Sequence, residues 1–271
     1  MSPEADTARA PEDFSHRELR VVRKRVHRLG LAATFGLDAR GFAKALERGI
    51  NYVFWSATRS SSITPVLVEK LQRDRERIVV ATGPALGYFG GSFRRGCEAQ
   101  LKKLKTDYID VFHLFWAGVT SAVTEGTLDE LQKLKSEGKI RAIGISIHDR
   151  ERAGRLAQSS PIDLFMIRYN AAHPGAERDI FPHLATRQPS LVAYTATSWR
   201  KLLRRPSRWT GDVMTAGDCY RFCLSSPHVD VVLSGPADEK QLDDNLAAFD
   251  KGPLSEAEMK WMREFGRVVH G

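Results

Sequence analysis

Cysteine is scarce: Cys97, Cys219 and Cys223 are the only three in 271 residues. An odd number without ligand spacing excludes a disulfide framework, and the three read as reduced thiols of a cytoplasmic protein. Long apolar runs are missing too. A bilayer span needs ~20 residues, and the best stretch, Val111 to Val119, is short and interrupted by His113. Met1 to Phe14 is polar and partly acidic, without the apolar segment of a secretory signal. No His, Asp or Glu group has a metal-ligand spacing, so no metal is expected. No Pro/Gly/Ser-rich linker divides the chain. Hydrophobic residues at 42% and charged residues at 27% exclude a disordered or collagen-like chain.

What is present is alternation. Short, uniformly apolar runs occur at Arg28–Ala33, Ile50–Phe54, Ile78–Thr82, Ile109–Leu114, Arg141–Ile145, Leu164–Arg168, Leu191–Tyr194 and Val229–Leu233. Strands buried on both faces look like this. Amphipathic helical stretches lie between them. Asp38 is placed to cap one that Gly49 stops, Gly138 ends another, and Ser255 with Glu258 has the capping-box spacing. An open doubly wound sheet is the competing architecture, but it calls for a glycine-rich phosphate turn after the first strand. Thr34-Phe35-Gly36-Leu37-Asp38 stands there instead. Eight strand–helix units give a single-domain α/β fold, the (β/α)8 TIM barrel of ~250 residues. The expected division is residues 1–25 as a partly disordered N-terminal extension and 26–271 as the barrel.

Chemistry in such a barrel sits where the strands run out. At those ends Arg59 is a candidate cation for a carboxylate or phosphate, against a surface arginine in a serine-rich loop. His148 and His173 follow the fifth and sixth strands and suit a general acid or a ligand. Tyr88 in the GYFGG stretch is a hydroxyl aromatic and a candidate acid, on a glycine-rich loop that is a poor scaffold. His113 points into the barrel one layer down and reads as a buried, hydrogen-bonded histidine. The net charge of +8 concentrates in 16–28 and 199–209. The first stretch reads as a solvated surface. The second follows strand seven, where Arg200, Lys201 and Arg204 could hold a phosphate and Trp199 and Trp209 could stack on bases. Nucleic acid is not the expected partner, nor is a membrane; an acidic protein partner remains possible.

The phrases Arg28–Gly36, Ala45–Tyr52, Leu101–Val111, Gly138–Ser146, Tyr169-Asn170 and Gln241–Leu246 come in an order and spacing that resembles the aldo-keto reductase superfamily over residues 26 to 268. The resemblance implies the same barrel and reversible NAD(P)H-dependent reduction of carbonyls. It also implies a catalytic Asp, Tyr, Lys and His, and at their positions this chain has Phe54, Arg59, Gly83 and Phe115. Hydride transfer to a carbonyl leaves an alkoxide, so a proton donor must stand beside it. Arginine keeps its proton up to a pH above ~12, and phenylalanine and glycine carry none to give. Losing one partner of a buried Asp–Lys pair costs roughly 3–5 kcal/mol; losing both avoids that cost, which points to a rebuilt mouth.

The cofactor groups implied by the resemblance are thinned as well. Ser146 stays, but Ile147 replaces the carboxamide-binding Asn and Met166 replaces a Gln. Tyr194 matches the aromatic that stacks on nicotinamide, Thr195 and Arg200 lie in the pyrophosphate loop, and Asp244 and Asn245 match the adenine-end pair. Gln241 stands where an Arg often binds the 2′-phosphate. NADP or NAD would therefore meet a weakened site. The leading expectation is a divergent member, a pseudoenzyme for the standard reaction, that binds a nucleotide or anionic small molecule at the mouth. The alternatives are an NAD(P)H-dependent oxidoreductase with a relocated proton donor, His148 or Tyr88, and a non-enzymatic regulatory or interaction protein.

Overall fold

The computed structural model describes residues 13–84, 93–117 and 123–270. A two-stranded antiparallel hairpin comes first, β1 (His16–Leu19) with β2 (Lys24–His27). Eight parallel strands follow: β3 (Leu29–Ala32), β4 (Tyr52–Phe54), β5 (Val79–Thr82), β6 (Ile109–Ala117), β7 (Ile140–Ile147), β8 (Leu164–Arg168), β9 (Ser190–Tyr194) and β10 (Val231–Ser234). They close in chain order, with β10 pairing back onto β3. The helices are α1 (Ala39–Glu47), α2 (Thr64–Asp74), α3 (Phe93–Leu104), α4 (Glu125–Ser136), α5 (Arg150–Ser159), the short α6 (Ala176–Asp179), α7 (Ala216–Leu224), α8 (Glu239–Ala247) and α9 (Glu256–His270). All eight expected strands are present, and the architecture is the (β/α)8 barrel.

Period-2 alternation splits each strand between two cores. One face packs on the helices, as Val53, Val80, Phe112, Ile143, Phe165 and Leu191 do. The other fills the barrel, with Tyr52, Val79, Val111, Ala142, Leu164 and Val192 among its members. Leu19 and Val26 of the hairpin join this inner cluster. The hairpin therefore plugs the end of the barrel where strands begin. Asn51 ties it down, accepting from His27 N at 2.9 Å and donating to Arg25 O at 2.9 Å. Arg20, Arg23 and Arg25 are exposed, as the expected solvated surface requires, while Lys24 and Arg28 are buried.

The helix ends follow the sequence signals. Asp38 accepts from Gly41 N at 2.8 Å, and Gly49 and Gly138 take the positive φ that ends α1 and α4. Ser255 and Glu258 form the reciprocal cap of α9. Asp149 and Asp238 cap α5 and α8, accepting from Arg152 N and Gln241 N at 3.0 and 2.8 Å. Asp38, Asp149 and Asp238 all lie at the end of the barrel where strands stop, and each carboxylate is spent on a helix.

Candidate functional site at the barrel mouth

On the inner face, β4 ends at Phe54 and β6 carries His113 and Phe115. The three rings pack together. Phe54 meets Phe115 edge-on at 5.8 Å and His113 at 5.9 Å, while His113 and Phe115 stack at 5.8 Å with 4° between planes. Gly83 follows β5 between them. A Cβ there would lie 2.4 Å from the carbonyl oxygen of His113 and 2.6 Å from a ring carbon of Phe115. The Phe115 ring thus fills the space that a side chain at position 83 would need.

His113 is fully buried, and neither ring nitrogen has a hydrogen-bond partner. The hydrogen-bonded histidine expected here is corrected: its neighbours are aromatic faces that supply no acceptor. Burial alone pushes its pKa down to about 3, so the ring is neutral.

The opposite wall is polar. The Tyr194 hydroxyl at the end of β9 lies 3.0 Å from His148 Nε2, just past β7. Arg168 ends β8 beside Tyr194 in register. Leu164 and Met166 are inner residues of β8, and alternation turns Arg168 to the same side. Its charge reaches the neighbouring rings. Burial first and Arg168 second hold His148 below its usual pKa. Burial pushes the Tyr194 hydroxyl up to about 12 against the opposing pull of Arg168. His173 falls to about 4 through burial, then Arg168, His270, Lys201 and Arg150. Its ring stands edge-on to His270 at 4.9 Å, and its Nδ1 lies 3.2 Å from Asn170 Oδ1.

The remaining candidates separate. Arg59 is exposed at the rim, without an ion pair or side-chain hydrogen bond among the described residues. Tyr88 lies outside the described residues. Ser146 is buried on the inner face of β7, whereas Ile147 faces the helices. Asn170 is spent, donating to Thr195 O at 2.8 Å and accepting from Ala172 N at 3.0 Å. Asp244 pairs with Lys240 one turn earlier at 2.7 Å. Asn245 is buried and donates to Ser234 Oγ at 3.1 Å. The adenine-end pair therefore faces its own helix and the core.

After β9 the backbone is strained. Thr195, Ser198, Trp199 and Arg200 all take φ between +49° and +68°, a region that costs L-residues roughly 1–2 kcal/mol each. Trp199 is 71% exposed. Trp209 is not its companion: it packs on Phe265 of α9 at 5.2 Å and donates to Asp212 O. The pair of base-stacking tryptophans is corrected to one, because α9 takes the second into its own contact.

The electrostatics of the mouth follow from its loops. Among the loops that follow the strands, segments 33–37, 55–63, 83–92, 118–123, 169–175 and 235–237 contain no Asp or Glu, and 195–214 contains one, Asp212. Arg59, Arg200, Lys201, Arg204, Arg205 and Arg208 all lie in them. Arg168, which adds an inward cation, was missed by sequence reasoning; the signal available was its parity with Leu164 and Met166.

The profile described as “Aldo/keto reductase family” matches residues 66–205. The “Methylglyoxal reductase YeaE” of Escherichia coli is 32% identical over 111 residues, 40% of this chain and 38% of that protein. The chain thus matches less than half the length of that relative. Among solved structures, the aldo-keto reductase AKR11C1 of Bacillus halodurans in its holo form superposes with a TM-score of 0.77 at 22% identity, covering 93% of this chain and 96% of that one. An aldo/keto reductase from Klebsiella pneumoniae in complex with NADP and acetate gives 0.74 at 22% identity, covering 90% and 93%. These structural likenesses concern the fold.

Proposed function

The chain belongs to the aldo/keto reductase family, and on that premise we propose that it binds a nucleotide or another anionic small molecule at the barrel mouth without the family's standard carbonyl reduction. One observation carries this reading. The Phe115 ring occupies the volume above Gly83, where the resemblance places the Lys that lowers the pKa of the proton-donating Tyr. Phe54 brings no donor, and neutral His113 keeps its single N–H buried one layer down, stacked against Phe115.

A nicotinamide cofactor, as in the Klebsiella pneumoniae relative, would supply hydride when bound. The residues fit it unevenly. Thr197, Ser198, Arg200 and Lys201 suit a pyrophosphate after β9. At the carboxamide end Met166 is apolar, Ile147 faces away and Asn170 is already bonded. That end does not fit, and no hydride step is derived.

The test follows tryptophan fluorescence during titration with NADPH, NADP and ATP, then NADPH oxidation with aldehydes and quinones. Saturable binding is expected, weakening with salt, with no turnover above the uncatalysed rate. Turnover of ~1 s⁻¹ or faster, within the ordinary enzymatic range, overturns the reading. It would favour a reductase with a relocated donor, which the Tyr194–His148 contact supports; His148→Gln should then abolish turnover.

A further inference from the structure

We propose that Arg168 anchors a carboxylate subsite, and that the mouth takes a monocarboxylate with a flat apolar body, of the aryl-carboxylate class. This deepens the anionic-ligand reading and rests on it.

Among the described barrel strands β3 to β10, Arg168 is the formal charge that alternation turns to the inner face. It has no ion pair or hydrogen bond with any described residue, and the undescribed loops 85–92 and 118–122 contain no Asp or Glu. Acids on the loops and helices that follow β7 and β8 are engaged elsewhere. Asp149 caps α5, and Glu177 accepts from Tyr169 Oη at 2.7 Å and pairs with Arg263 at 2.7 Å. A guanidinium half-buried at a strand end, without a counter-charge, is matched by a ligand that brings one.

The walls specify the rest. A guanidinium fork meets the two oxygens of a carboxylate in one plane, and the Tyr194 hydroxyl lies next to it in register. Burial and Arg168 itself depress His148 and His173, so Arg168 is the cation that the strand ends supply at the mouth. That suits a monoanion better than a dianion. In the closed ring β4 is four strands from β8, so Phe54 stands diametrically across from Arg168. Phe54 and Phe115 already meet edge-on at 5.8 Å, and a flat ring between them and Arg168 would have an aromatic surface to pack on.

Calorimetry on the full chain at pH 7 tests this with benzoate, benzamide and inorganic phosphate. Benzoate should bind at least tenfold more tightly than benzamide, which has the same shape without the charge, and more tightly than phosphate. Arg168→Gln should weaken benzoate at least tenfold and leave benzamide unchanged. Arg168→Lys should fall between, having charge without the planar fork. Arg187→Gln, an exposed change at the opposite end of the barrel, should alter neither. Should Arg168→Gln not fold, the wild-type comparison and Arg168→Lys decide. Equal affinity for benzoate and benzamide, preference for phosphate, or wild-type benzoate binding by Arg168→Gln overturns the proposal. If benzoate fails while NADP or ATP binds with salt dependence, the Arg168 assignment falls and the anionic mouth stands; if none binds, both fall.

Discussion

A missing side chain governs the aromatic side of the mouth. Gly83 lets the main chain of His113 and the ring of Phe115 close over it, and the buried Gln100 holds its carbonyl at 2.5 Å. Even one methyl group there overpacks the site, at a typical cost of ~1–3 kcal/mol. Gly83→Ala should therefore lower the urea midpoint accordingly. Phe115→Ala in the same chain should not restore it, because the tightest contact is the His113 carbonyl oxygen and not the ring. Full rescue by Phe115→Ala would show that the ring was the obstacle. The sequence placed Phe54 and Phe115 correctly on the inner face, since strand alternation needs only their parity. It did not expose Arg168, because a charge closing an apolar run reads equally well as the strand's wet end. Nor did it show that His113 lacks a partner. That depends on rings from β4 and β6 meeting across the barrel, a contact no local pattern encodes.

The eight barrel strands were legible because both their faces are buried and their runs are uniformly apolar. Their starts shifted where the apolar run begins before the pairing does. Ile50 N is still bonded to Ala45 O and Val229 N to Ser226 O, so β4 and β10 open two residues later than the runs. The β1–β2 hairpin was hidden in HRELRVVRKRVH. Only Leu19 and Val26 are apolar members of its buried face, and its turn contains neither glycine nor asparagine, with Arg23 taking φ of +54°. Of its lysines and arginines Lys24 alone is buried, and its head finds partners. Lys24 Nζ pairs with Asp110 at 2.8 Å and donates to Ile78 O at 2.9 Å; Arg75 holds the other carboxylate oxygen at 2.8 Å. Lys24, Arg75 and Arg141 also stand over the Tyr108 ring, at 5.1, 3.6 and 4.3 Å. Asp110→Asn keeps the shape and removes the charge that both buried cations face. Breaking such a group costs about 3–5 kcal/mol. The variant should show that loss in denaturant unfolding and faster proteolysis within 16–27. A loss below ~1 kcal/mol would mean that the Tyr108 ring and backbone carbonyls suffice for both cations.

Across the whole molecule, buried neutral histidines set the response to acid. His27 is held near a pKa of about 4 by burial and by the charge of His16, and its Nδ1 accepts from Leu29 N at 3.0 Å. His113 is held at about 3 by burial alone. Both values lie below the ~6.5 of an unfolded histidine, so the folded state favours the neutral rings. Above that pH neither state is protonated and the contribution is constant. As pH falls below it, the unfolded chain takes up protons that the folded chain refuses. Stability then declines by about 1.4 kcal/mol per pH unit for each ring, until the folded state protonates near pH 4 and 3. Glu137 and Glu258, both lowered from 4.5 to about 2 by arginine hydrogen bonds, lose their contributions as pH falls from 4.5 toward 2, so above pH 4.5 the histidines act apart from them. His173, also lowered to about 4, adds to the same fall, so urea midpoints should drop from pH 6.5 to pH 4.5 with a slope of at least two protons. His113→Leu should reduce that slope by about one proton. At pH 7 the same variant should be as stable as the parent or more so, because it removes two nitrogens buried without partners, each costing ~1–3 kcal/mol. An unchanged slope would mean that His113 exchanges its proton in the folded barrel. The Phe54–Phe115 wall would then admit water to His113, against the dry aromatic packing around that ring.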